Sequence, residues 1–157
     1  MQLNQKECTL IQDLKGQEQL CIEKYTKYAS EASDPQLSDL FTDIAGIERG
    51  HFNTLSGIES GKTPSTSSSG SPSSSNSTQK TFTKASGSVD TEGDRFLCSD
   101  LLATEKHASH LYDTCIFEFR DESVRQTLNH IQKEEQSHGK RLYDYMKANG
   151  MYEGGAQ

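Results

Sequence analysis

An all-α four-helix bundle, made of two copies of one helical hairpin, is the fold this chain predicts. Three observations carry that expectation: long proline-free apolar stripes of helical period, an Asp-centred break inside each half, and a self-match at one offset. Residues 10–55 laid over 97–142 without a gap match Leu10 with Leu97, Asp13 with Asp100, Leu14 with Leu101 and Glu18 with Glu105. Tyr25 with Tyr112, Glu31 with Glu118, Asp34 with Asp121 and Ile44 with Ile131 follow, then Glu48 with Glu135, His51 with His138 and Leu55 with Leu142. These eleven identities in 46 positions exceed the roughly three that ordinary composition supplies. A repeat with two copies implies internal pseudo-twofold symmetry rather than a solenoid.

The first helix is expected over residues 4–32, where Leu10, Ile11, Leu14, Cys21, Ile22, Tyr25 and Tyr28 recur mostly every three or four positions. Gly16 weakens it slightly. Ser33-Asp34-Pro35 then stops and restarts the chain, since Asp34 suits the N-cap and Pro35 the first helical position. A second helix follows from Pro35 to about Gly57, with Leu37, Leu40, Phe41, Ile44, Ile47, His51 and Leu55 along its inner face. The third is expected from about Asp94 to Phe119, and Asp121 caps a fourth from Glu122 to about Ala148. Gly150 supplies a left-handed stop.

The chain of 157 residues fits one domain. It divides into a first hairpin (1–60), a crossover (61–95) and a second hairpin (96–157). Ser65 to Thr78 is almost pure Ser and Thr with Gly and Pro, which cannot bury apolar surface and is expected to be a flexible, disordered linker. Spanning a bundle about 36 Å long is within reach of such a crossover.

Composition narrows the partners. A net charge of −7 argues against nucleic acid and against an anionic membrane surface. No apolar run reaches spanning length and Met1-Gln2-Leu3-Asn4 is not a signal sequence, so a cytoplasmic protein is expected. Cys8, Cys21, Cys98 and Cys115 form no C-x-x-C pair and read as free, mostly buried thiols.

Glu48-Arg49-Gly50-His51 and Glu135-Gln136-Ser137-His138 repeat one E-x-x-H motif 87 residues apart, and Glu18 and Glu105 share that offset. Glu and His at i and i+3 project from one helix face. Glu18 precedes Asp34 by 16 residues and Glu48 follows it by 14, so the two meet at nearly one height once the hairpin folds. Glu105 and Glu135 stand likewise about Asp121. All six side chains then converge at mid-bundle, where burying them without a metal is costly. Glu48 and Glu135, or their partners, are expected to bridge two ions, with His51 and His138 terminal on one each.

Tyr25 and Tyr112 lie seven residues after Glu18 and Glu105, on the same face. They read either as hydrogen-bond donors to the ligand carboxylates, as local redox groups, or as ordinary core aromatics. Glu31 and Glu118 repeat near the turns and read as solvated or turn-stabilising charge. His107, His110 and His130 fall off the ligand stripe and read as surface imidazoles.

A Glu on each of two helices with E-x-x-H on two others resembles the di-iron or di-manganese carboxylate pattern of ferritin-like bundles. Gly16-Gln17-Glu18, Tyr25 and Glu48-x-x-His51 are similar to its rubrerythrin branch. Residues 97–152 resemble the spore coat protein F family through Asp100-Leu101-Leu102-x-x-Glu105-Lys106-His107, Tyr112-Asp113-Thr114, Glu134-Glu135-x-x-His138 and Tyr145-Met146-x-x-x-Gly150-x-Tyr152. The resemblance implies a ferritin-like bundle with two metal ions, iron or, second, manganese, reacting with peroxide or dioxygen as a peroxidase or catalase-like oxidoreductase would. It implies deposition in the spore coat, with coat proteins or a homodimer as partners. Rubrerythrins carry paired C-x-x-C motifs for electron delivery, which this chain lacks, so an external electron donor is implied. A purely structural coat component, with the metal pair a staple or absent, and iron storage are the alternatives.

Overall fold

The computed structural model describes residues 2–64 and 81–152. Four helices run over α1 (Gln5–Glu31), α2 (Pro35–Glu59), α3 (Thr91–Glu118) and α4 (Glu122–Ala148), with no strand among the described residues. The expected Ser65–Thr78 linker lies outside them. Packing is densest between α1 and α2 and between α3 and α4; α1 also packs on α3, while α2 and α4 touch sparsely.

The caps follow the sequence. The Asp34 carboxylate accepts the Gln36 N–H at 2.9 Å with Pro35 opening α2. Asp121 accepts from Ser123 N–H at 2.9 Å and Val124 N–H at 3.1 Å. Gly150, at φ 66°, closes α4: Met151 N–H reaches the Met146 carbonyl at 2.8 Å and Gly150 N–H that of Lys147 at 3.3 Å, the pairing of a left-handed helix stop.

The start of α3 differs from expectation, at Thr91 rather than Asp94. Asp90 is the N-cap and accepts the Gly93 N–H at 2.9 Å, so the cap supports a first turn that has no apolar residue. The end of the expected crossover is also docked rather than free. Phe82 meets the Tyr145 ring at 5.5 Å, Thr83 N–H donates to Gln36 at 3.1 Å, and Ala85 N–H donates to Asn149 at 2.8 Å.

A second repeated device joins the halves. Glu7 and Asp94 stand at the same 87-residue offset, and each accepts backbone donors from the turn of the opposite hairpin. Asp94 takes the N–H groups of Ser33 at 2.8 Å and Asp34 at 2.9 Å. Glu7 takes the Arg120 N–H at 3.1 Å and its guanidinium at 3.2 Å. Buried backbone donors in a turn need such partners, so each half completes the other's turn.

The apolar core falls into two clusters. Cys21, Tyr25, Leu40, Phe41, Ile44, Leu101, Leu142 and Tyr145 belong to one. Ile11, Leu14, Leu55, Tyr112, Val124, Leu128 and Ile131 belong to the other. On every helix the stripe passes from one cluster to the other across an acidic or imidazole residue, which leaves a polar layer at mid-bundle.

Candidate metal centre

That layer holds all six side chains the E-x-x-H repeat singled out. Glu18, Glu48, His51, Glu105, Glu135 and His138 are each at most 4% exposed. Ligand atoms of Glu18, Glu48, His51 and Glu135 lie within 4.8 Å of one another, and so do those of Glu48, Glu105, Glu135 and His138. Glu48 and Glu135 belong to both sets. Glu18 and His51 belong to the first alone, and Glu105 and His138 to the second. The imidazole planes sit 24° apart with ring centroids at 5.9 Å.

Both imidazoles present Nδ1 to the carboxylates. His51 Nδ1 stands 2.9 Å from Glu48, 2.9 Å from Glu135 and 3.6 Å from Glu18. His138 Nδ1 stands 3.2 Å from Glu48 and 3.4 Å from Glu105. One N–H cannot serve several acceptors. Glu18 Oε2, Glu48 Oε1, Glu105 Oε2, both Glu135 oxygens and His138 Nδ1 are buried without an aligned hydrogen-bond partner. Buried unsatisfied polar atoms are rare and each costs free energy. Here six point into one volume.

The tyrosines cross between the halves. Tyr25 Oη–H donates to Glu105 Oε1 at 2.5 Å, and Tyr112 Oη–H donates to Glu18 Oε1. Each pins one oxygen of the other repeat's carboxylate and leaves its Oε2 facing the centre. Both phenols are held well above their ordinary value, by burial first and then by the carboxylate each contacts, and so they remain donors. Hydrogen bonding to the carboxylates is therefore what the geometry supports among the readings of Tyr25 and Tyr112.

Electrostatics show how the cluster carries its charge. Burial pushes Glu18 up to about 7 and Glu135 up to about 11, against the attraction of the His51 imidazole beside each. Burial acts the same way on Glu48, but the close imidazoles of His138 and His51 outweigh it and hold Glu48 below the usual carboxylate range. Burial also disfavours charged imidazoles. The surrounding carboxylates of Glu134, Glu135, Glu18 and Glu48 nonetheless drive His51 far above its ordinary value, and those of Glu105 and Glu48 bring His138 to about 9.

Glu134 is the site residue that sequence reasoning gave no role. Its Oε2 accepts from His51 Nε2 at 2.7 Å, which fixes the ring and directs Nδ1 inward. The repeat could not disclose it, because the equivalent residue is Ile47; the doubled glutamate Glu134-Glu135 was the available signal. Glu31 and Glu118 lie at the helix ends, Glu118 paired with Lys6 at 2.5 Å. His107, His110 and His130 are exposed, as read. All four cysteines are free, and Cys8 is the one that is not fully buried. Cys21 borders the layer, its thiol pushed up by burial and then by Glu48, Glu105, Glu18 and Glu135.

Fold and site together define an all-α protein with a buried carboxylate–imidazole cluster of metal-ligand composition. Residues 93–153 match the Coat F domain family model, which supports the resemblance of the second half to the spore coat protein F family. No curated protein and no solved structure matches the chain. No described helix is long and apolar enough to cross a membrane.

Proposed function

We propose that the chain is a ferritin-like protein of spore coat F type holding two iron ions, or two manganese ions, at mid-bundle. The observation that carries this reading is the pair of ligand sets sharing Glu48 and Glu135. Glu18 and His51 complete one set, and Glu105 and His138 the other. Four carboxylates balance two divalent cations, and the mixed oxygen and imidazole donors suit iron and manganese. The unpartnered Oε2 atoms of Glu18 and Glu105 and the Nδ1 of His138 supply donors already aimed inward.

Two such ions, when bound and reduced, supply two electrons to hydrogen peroxide, which takes up two protons and leaves as two waters; dioxygen is the related oxidant, and an external donor restores the electrons. The chain's residues do the rest. Tyr25 and Tyr112 hold Glu105 and Glu18 in place. Glu134 keeps the His51 ring turned so that Nδ1 faces the centre. The two apolar clusters exclude bulk water from either end of the layer. Protons leave the imidazoles and carboxylates when cations enter, since ligands must be deprotonated.

A second reading is a structural coat protein in which the same ions only staple the bundle. The Coat F match favours it, because that family is named for a location. Metal content by plasma mass spectrometry, wild type beside Glu48→Ala/Glu135→Ala, tests the site. About two iron or manganese ions per chain, lost in the variant, are expected; a wild type that stays empty after anaerobic Fe(II) or Mn(II) loading sinks the reading. Peroxide consumption by the reduced, loaded protein then separates the catalyst from the staple.

A further inference from the structure

The two helix seams flanking the polar layer are equivalent by repeat but not by composition. Over the α3–α4 seam lies a cleft of about 340 Å³ whose lining includes Leu102, Ser109 and Gly139 together with the buried Glu105 and Glu135. Those two glutamates belong to the candidate centre. Lys106, which also lines the cleft, is exposed.

On the α1–α2 seam the positions equivalent to Leu102, Ser109 and Gly139 are Lys15, Ile22 and Phe52. Phe52 fills the place of the missing Gly139 side chain. Lys15 Nζ lies over its ring, 5.1 Å from the centroid, and is itself held by Glu59 at 2.6 Å. On the α3–α4 seam a glycine stands where the α1–α2 seam carries an aromatic ring under Lys15.

We propose that the α3–α4 seam at Gly139 is the entry route by which divalent cations and peroxide-sized solutes reach the buried carboxylates, and that Phe52 under Lys15 closes the equivalent route between α1 and α2. The proposal rests on the metal-binding reading above. A glycine inside a helix costs helix stability, and Gly139 is not required by its backbone, which has no positive φ. A Cβ there would meet only Leu102 Cδ1, at 3.6 Å, an ordinary contact. The open space is what the glycine preserves.

Metal-stripped full-length protein, mixed with Co(II) in stopped flow and followed by visible absorbance, gives the uptake rate, and plasma mass spectrometry gives the final content. Gly139→Phe, which installs the residue of the first repeat, should slow uptake about tenfold or more, equivalent to one decade in rate, with final content unchanged. Leu102→Phe narrows the same cleft from α3 and should slow uptake in the same direction, which keeps the test valid if the first variant fails to fold by circular dichroism. Uptake within about twofold of wild type in the folded variants, at full content, overturns the route and leaves the metal site standing. A wild type that takes up no ion overturns both.

Discussion

The two hairpins agree at the centre and differ around it. Glu18, Tyr25, Glu48 and His51 recur as Glu105, Tyr112, Glu135 and His138, and each tyrosine reaches across to the other half's glutamate. Around them the halves diverge. His51 Nε2 has the carboxylate of Glu134, whereas the position equivalent to Glu134 is Ile47; Gly139 stands on the α3–α4 seam where Phe52 stands on α1–α2. The two candidate ligand sets therefore share donor chemistry but not surroundings.

The largest expected effect distinguishes shared ligands from unshared ones. Glu48→Ala or Glu135→Ala alone should release both ions, whereas Glu18→Ala or Glu105→Ala should leave one. Metal content after dialysis reads this directly, and loss of a single ion from Glu48→Ala would break the bridging assignment.

Next is the pH response of the metal-stripped protein, to which several groups contribute at once. Glu18, Glu135, His51 and His138 all have folded values raised above their ordinary ones. A raised group favours the folded state fully below its unfolded value and loses that contribution as pH rises through its folded value. For Glu18 the loss runs from 4.5 to about 7, and for His138 from 6.5 to about 9. Glu48, lowered from 4.5, acts oppositely, and its contribution is lost only as pH falls below that value. Thermal midpoints of the stripped protein should therefore drop between pH of about 6 and 9, and bound metal should flatten the drop. A midpoint that rises over that range would contradict the assigned burial and pairing.

The asymmetry at Glu134 predicts a smaller change. Glu134→Gln should weaken one of the two ions about 10–100-fold and leave the other, seen as a split in a calorimetric titration. Equal weakening of both would mean that the subsites are coupled rather than distinct.

The tyrosine pair sharpens the symmetric side of the comparison. Tyr25→Phe and Tyr112→Phe each strip one carboxylate oxygen of its donor, and each should cost about 1–3 kcal/mol in urea unfolding of the stripped protein. Unequal costs would show that the cross-repeat bonds are not equivalent. Smallest is Gly139→Ala, expected to stabilise by about 0.5–1 kcal/mol, because its Cβ meets nothing closer than Leu102 at 3.6 Å.

Much of this was legible from spacing. Helical period, Asp34 and Asp121 at the caps and the 87-residue offset predict the four helices and place six ligand-type residues at one height. Each depends on local chain geometry: 1.5 Å of rise per residue and a cap that accepts exposed N–H groups. The start of α3 was missed because Thr91, Glu92 and Gly93 carry no apolar signal, and its support is a single side-chain cap at Asp90. Glu7 and Asp94 were passed over because they differ in identity and stand outside the matched window, although they perform one task.

By itself the sequence determined the repeat, the helix limits near the Asp caps, and which side chains could share a polar layer, since these follow from periodicity along one chain. Only the tertiary structure decided that Tyr25 serves Glu105, that Tyr112 serves Glu18, and that Glu134 reaches His51. Those pairings join residues 80 or more positions apart. The distance between such residues is set by how the two hairpins pack, which no periodicity within either hairpin encodes.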